Sequence, residues 1–136
     1  MKSGAGERLL VIDDEADLRE MLEFILSAEG YDVVTVDGGL AAIEAARALR
    51  FDLAITDMRM PDMNGIETLT ALKELDPTIE VVVVTGYASE QTAAECIRRG
   101  AYGYLRKPFE LGELRPLIEG ALARRAAAVA HGRIQP

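Results

Sequence analysis

The chain has 136 residues, 49% of them apolar, which suffices for one domain with one sizeable core and leaves no room for a second. With 23 acidic residues against 15 basic ones the net charge is -8, which disfavours nucleic acid as a direct partner. Cys96 is alone and makes no internal disulfide, too few residues precede the first hydrophobic run for a secretory signal, and no apolar run nears the ~20 residues of a membrane span, so a soluble cytoplasmic protein is expected.

Short β-branched or Leu-rich runs alternate along the chain with stretches of helical period, the pattern of a parallel sheet covered by helices on both faces. The first strand is expected at Arg8 to Ile12. Leu18, Met21, Leu22, Ile25 and Leu26 then repeat at three and four, defining the core face of a first helix, and Gly30 is placed to end it in a left-handed conformation. A strand at Asp32 to Val36 leads to a second helix from Gly39 to Leu49, with Leu40 and Ile43 inward. A third strand at Asp52 to Thr56 precedes a helix carrying Ile66, Leu69, Leu72 and Leu75, which Asp76-Pro77 stops.

After a strand at Glu80 to Thr85, a helix capped by Ser89 offers the core little beyond Ala93, Ala94, Cys96 and Ile97, and is expected to be loosely held. A last strand at Ala101 to Leu105 leads to a fifth helix with Leu111, Leu114, Leu117, Ile118 and Leu122 inward; Pro116, lacking an N–H, is expected to irregularise its start. Residues 1–123 form the domain, and 124–136 are read as a helical extension, Ala- and Arg-rich to Ala130, followed by a disordered tail too short for an effector domain. The fold class is α/β, a doubly wound sheet of five parallel strands.

In such a sheet, ligands bind outside the carboxyl ends of the strands. Polar residues gather there: Asp13-Asp14 after strand one, Asp57 after strand three, Thr85 ending strand four and Lys107-Pro108 after strand five. Three converging carboxylates repel one another by ~4 kcal/mol per close pair at an effective dielectric near 20, so the cluster asks for a cation. Magnesium suits oxygen ligands and commonly combines one or two carboxylates with a phosphate oxygen. A lysine and a hydroxyl beside it would hold the other phosphate oxygens, which is the positioning and charge neutralisation that phosphoryl transfer requires.

Four blocks carry a resemblance: Val11-Ile12-Asp13-Asp14-Glu15, Thr56-Asp57-Met58-Arg59-Met60-Pro61-Asp62-Met63-Asn64-Gly65, Val84-Thr85-Gly86 and Tyr104-Leu105-Arg106-Lys107-Pro108-Phe109. Together they resemble the signature blocks of response-regulator receiver domains of two-component systems, over about residues 8 to 122, with wording closest to nitrogen-regulator-type activators. The intervals fit as well, Pro61 lying four and Gly65 eight positions beyond Asp57.

The resemblance implies a flavodoxin-like, chemotaxis-regulator-like (βα)5 fold. It makes Asp57 the phosphoacceptor and gives Mg2+, with Mn2+ as an alternative, to Asp13, Asp14, Asp57 and the backbone carbonyl of Arg59. Thr85 and Lys107 would bind phosphoryl oxygens, a cis peptide would precede Pro108, and Tyr104 would turn inward when Thr85 moves. Arg59 and Tyr87 match the two positions that tune the lifetime of the acyl phosphate, and neither offers the carboxylate or carboxamide that would orient an attacking water. The implied partner is a sensor histidine kinase or phosphotransfer protein. The implied output is a change in the surface of helix four, strand five and helix five, including homodimerisation there on phosphorylation. Such a protein is a phosphoacceptor switch rather than an enzyme, catalysing only its own phosphorylation and dephosphorylation.

Taken singly, each residue has a plainer role. Asp14 suits a helix N-cap, Thr85 a strand-end hydroxyl, Lys107 a solvated charge and Tyr104 a half-buried strand aromatic. Only their joint occurrence at one sheet edge outweighs these. Asp57 has the weakest plain reading, since an acid directly after an apolar strand and facing two others is costly without a purpose. Cys96 and His131 are read as inert. Two other classes of function share part of the pattern. A flavin-binding electron carrier would need a Ser/Thr/Gly-rich phosphate loop where Asp13-Asp14-Glu15 stands, and a degenerate receiver used only for protein interaction would not need the intact acids, Thr85 and Lys107.

Overall fold

The computed structural model describes residues 6–86 and 89–134, with side chains through 130. Strands and helices alternate: β1 (Arg8–Ile12), α1 (Ala16–Ala28), β2 (Asp32–Val36), α2 (Gly39–Ala48), β3 (Leu53–Asp57), α3 (Gly65–Leu75), β4 (Glu80–Thr85), α4 (Glu90–Arg98), β5 (Gly103–Arg106) and α5 (Leu111–Ile134). Among the described residues the strands form one parallel sheet of order β2-β1-β3-β4-β5. The chain therefore winds outward from β1 in both directions, and the carboxyl ends of β1 and β3 flank the point where the winding reverses.

Because successive strand residues face opposite sides, the sheet carries two cores. Leu9, Val11, Ile55, Val82 and Val84 pack with Leu22, Leu26, Leu114 and Ile118 of α1 and α5. Leu10, Ile12, Ala54, Val81 and Val83 pack on the other face with Ala42, Leu69, Leu72 and Cys96 of α2, α3 and α4. Gly30 ends α1 at φ +102°, as its position predicts, and its neighbour Tyr31 donates its N–H back to the Leu26 carbonyl at 3.2 Å.

Several expectations need correction. β3 runs from Leu53 to Asp57 rather than from Asp52 to Thr56, so Asp57 is the last strand residue, paired with Val84. β5 starts at Gly103 rather than Ala101, because Gly100 takes φ +106° and the Ala101 N–H is spent on the Cys96 carbonyl at the end of α4. Leu40 is 61% exposed rather than inward. Gly39 and Ala42 face the core instead, and a Cβ on Gly39 would lie 2.2 Å from Met63 Cγ in the loop before α3 and 2.5 Å from Thr68 Oγ1 in α3, so there is no room for a large residue there. Met21, Leu75 and Ile97 lie at the edges of their helices' core faces and are more than one-third exposed.

α4 buries only Cys96, and the Ser89 side chain caps it by accepting the Thr92 N–H at 3.1 Å. This small buried face is the ground for expecting a loosely held helix. α5 continues to Ile134, past the point where the sequence pattern fades, and is continuous through the exposed Pro116; at its start the Glu113 and Leu114 N–H groups share the Glu110 carbonyl, at 2.9 and 3.3 Å. Among the described residues no helix is long and apolar enough to cross a membrane.

Candidate functional site

The strands deliver their polar ends to one edge. Asp13 follows β1 and is buried, Asp57 ends β3 and is buried, and Asp14 is exposed at the mouth. Each offers a carboxylate oxygen within 4.8 Å of the other two. From the far side, Lys107 Nζ lies 2.9 Å from Asp13 Oδ2, 3.0 Å from Glu15 Oε1 and 3.3 Å from Asp57 Oδ2. The Lys107 N–H donates to the Thr85 carbonyl at 2.8 Å, which ties the start of this loop to the end of β4; the Lys107-Pro108 peptide is cis.

Burial is the largest influence on Asp57 and raises its pKa; Lys107 opposes it, and the negative charge of Asp13 adds to the rise. Asp57 Oδ1 accepts the Met58 N–H at 2.7 Å, while Oδ2 faces Lys107. Burial would lower the pKa of Lys107, but hydrogen bonds to Asp13 and Glu15 and the charge of Asp57 hold it well above the usual lysine range. The ammonium thus stays charged and offsets part of the repulsion among the acids. The donor set fits a hard divalent cation. The oxygens are carboxylate, two of the three acids are almost fully shielded from water, and one opens to solvent as a cation that keeps several waters needs.

Thr85, at the end of β4, is fully buried and pairs in register with Arg106. Tyr104 is half-buried on β5 against the core face that holds Cys96, its hydroxyl oxygen is shielded from solvent, and burial raises its phenol pKa. Arg59 is exposed on the loop after Asp57. Asp13, Asp14, Asp57 and Lys107 are thus brought into direct proximity, Thr85 and Tyr104 lie on the strands beside them, and Tyr87 lies outside the described residues.

Two participants escape a reading of the sequence. Glu15 sits at the N-cap of α1 but makes no side-chain cap there, reaching Lys107 instead. Asp62 accepts the backbone N–H groups of Gly39 at 3.1 Å and Leu40 at 2.9 Å, so the loop after Asp57 caps α2. No local pattern announces either contact. A local signal did exist for α3, where Asn64 and Glu67 form a capping box. Gly65 has a steric reason, since a Cβ there would stand 2.7 Å from the Asp57 carbonyl oxygen.

The family model described as "Response regulator receiver domain" matches residues 9–119. The transcriptional regulatory protein ZraR of Escherichia coli K12 is 40% identical over 115 residues, which are 85% of this chain and 26% of ZraR. The transcriptional regulatory protein FixJ of Bradyrhizobium diazoefficiens is 35% identical over 114 residues, 84% of this chain and 56% of FixJ. The chain therefore spans about a quarter of ZraR and just over half of FixJ. Among solved structures, the beryllofluoride-activated NtrC4 receiver domain dimer superposes with a TM-score of 0.80 at 34% identity, covering 87% of this chain and 98% of that one. A CheY-like receiver domain protein from Methanospirillum hungatei gives 0.87 at 29% identity, covering 91% and 99%. With the family model spanning most of the chain and the flavodoxin-like sheet in place, the chain belongs to the response-regulator receiver family of two-component systems.

Proposed function

We propose that Asp57 accepts a phosphoryl group from the phosphohistidine of a sensor histidine kinase or phosphotransfer protein. A carboxylate oxygen of Asp57 attacks phosphorus, the P–N bond breaks, and the electron pair leaves with the imidazole. The observation that carries this reading is the convergence of Asp57 with Asp13, Asp14 and Lys107 at the carboxyl edge of the sheet.

Asp13, Asp14, Asp57 and the backbone carbonyl of Arg59 would hold magnesium, and manganese accepts the same donors. The bound ion supplies positive charge that offsets the acids and orients a phosphoryl oxygen. Lys107, already charged and 3.3 Å from Asp57, donates to a second phosphoryl oxygen, and the Thr85 hydroxyl to a third. The residues then act as a phosphoacceptor switch whose only catalysis is on its own aspartate.

Readout passes through Thr85 and Tyr104 to α4, β5 and α5. Two observations support this surface: α4 buries only Cys96, and Ile97 on the same helix is half exposed. A weakly anchored helix needs only a few kcal/mol to move. Self-association there on phosphorylation belongs to the same reading, and light scattering with and without beryllofluoride tests it; a monomer in both states would leave a heterologous partner as the output.

The acceptor assignment is tested with acetyl phosphate. Phosphate incorporation should require magnesium and vanish in Asp57→Asn; incorporation at the wild-type level in that variant would overturn it.

A further inference from the structure

The ammonium of Lys107 faces three carboxylates, at 2.9 Å in Asp13, 3.0 Å in Glu15 and 3.3 Å in Asp57. Two of them change role in the proposed reaction. Asp13 belongs to the cluster that would hold the metal, and Asp57 becomes an acyl phosphate, whose bridging oxygen no longer carries the charge Lys107 now meets. Glu15 lies outside that cluster and keeps both its charge and its lone pairs.

Its other possible employment is also missing. Glu15 occupies the N-cap of α1, with extended backbone at φ -87° and ψ 111°, yet its side chain makes no cap hydrogen bond. An acid at that position ordinarily serves the helix N–H groups. Here the carboxylate crosses to a lysine 92 residues away in the sequence. The loop that carries it is held independently: the Glu15 N–H donates to Asp13 Oδ1 at 2.8 Å, and the Arg19 guanidinium to the Asp13 carbonyl at 2.6 Å. The Glu15 backbone is thereby fixed relative to the acceptor pocket, while its side chain, largely exposed, contributes nothing to the core.

We propose that Glu15 is a positioning residue for Lys107, holding the ammonium over Asp57 both before and after the phosphoryl group arrives. This role rests on the reading of Asp57 as phosphoacceptor. Without Glu15, Lys107 would lose the one partner that the reaction leaves unchanged, and its flexible stem would have to be ordered again each time a phosphoryl group binds.

A double-mutant cycle tests it. Beryllofluoride, which stands in for the phosphoryl group, is titrated by calorimetry at saturating magnesium into wild type, Glu15→Gln, Lys107→Met and the double variant, with magnesium alone titrated in parallel. Glu15→Gln should weaken beryllofluoride binding roughly two- to fivefold, the range of an exposed charge pair, and should have no further effect once Lys107 is methionine. The sign is diagnostic. Removing a negative charge from the mouth would, through the field alone, favour an anionic ligand, so unchanged or tighter binding in Glu15→Gln overturns the role. An equal loss in the Lys107→Met background overturns it too, since Glu15 would then not be acting through the lysine. If wild type binds beryllofluoride and Glu15→Gln matches it, only the role of Glu15 falls; if wild type fails to bind, the acceptor reading falls and takes this role with it.

Discussion

Arg125, in the distal half of α5, places its guanidinium 2.6 Å from the carboxylate of Asp52, the residue just before β3. The other oxygen of Asp52 accepts the Arg8 N–H at 2.7 Å, so one acid joins the starts of β1 and β3 to the last helix. Arg124 beside it makes two 2.7 Å hydrogen bonds to the buried Glu80 and lies over the Tyr102 ring. The extension of α5 is therefore anchored at the sheet edge opposite Asp57.

Arg125 is itself buried, and removing it leaves Asp52 with less than it needs. Breaking a fully buried pair costs about 3–5 kcal/mol, and Asp52 is partly exposed, so Arg125→Met should cost about 2 kcal/mol in denaturant unfolding. Beryllofluoride binding should be unchanged, because the cluster around Asp57 is at the opposite edge. A loss of stability below ~0.5 kcal/mol would mean that the pair contributes nothing net.

Asp62 ties the loop after Asp57 to α2, and Asp62→Ala should remove that cap at about 1 kcal/mol, the usual cost of losing an N-cap. Its pKa lies below the usual carboxylate value chiefly because the Leu40 N–H binds the charged form. Burial would raise that of Asp76, but hydrogen bonds from the Thr78 hydroxyl and backbone outweigh it and lower it. Both folded pKa values are depressed, so the stability they contribute is present above about 3.8 and is lost as the pH falls through the lower folded values. Acid unfolding followed by circular dichroism should show a shallower dependence on pH in that range for Asp62→Ala than for wild type.

Asp57 has the opposite sign. Its folded pKa is raised, so its charge destabilises the fold at neutral pH, and the destabilisation is relieved as the pH falls toward 3.8. Asp57→Asn should therefore raise the metal-free melting temperature while reducing the response to magnesium. In wild type, magnesium at ten times its dissociation constant should add about 1.4 kcal/mol by mass action. A wild-type melt insensitive to magnesium would contradict a metal site at these acids.

The lifetime of the phosphorylated form is expected to be minutes or longer. Neither Arg59 nor Tyr87 supplies a general base for water, a contribution worth ~100-fold or more. Phosphate release from an Arg59→Asn, Tyr87→Glu double variant should be faster than from wild type. A variant no faster would refute control by these positions.

The sequence by itself determined the alternation of strands and helices, the end of α1 at Gly30, the Ser89 cap and the gathering of Asp13, Asp14, Asp57, Thr85 and Lys107 at one edge. Those features depend on local period, on backbone preferences of single residues, and on the rule that parallel strands present their carboxyl ends together. Tertiary structure decided what depends on a distant neighbour. β3 starts one residue later than the pattern indicates, at Leu53, with Asp52 joined to its neighbours by backbone bonds to Arg8 and Glu80 while its side chain is committed to Arg8 and Arg125, partners that no local pattern reveals. Leu40 faces outward because the small residues Gly39 and Ala42 hold the buried face of α2, where Met63 and Thr68 leave no room for a side chain at position 39. Glu15 and Asp62 found their partners across gaps of 92 and 22 residues, and an isolated acid at a helix start or in a loop carries no mark of which donor the folded chain will bring within 3 Å.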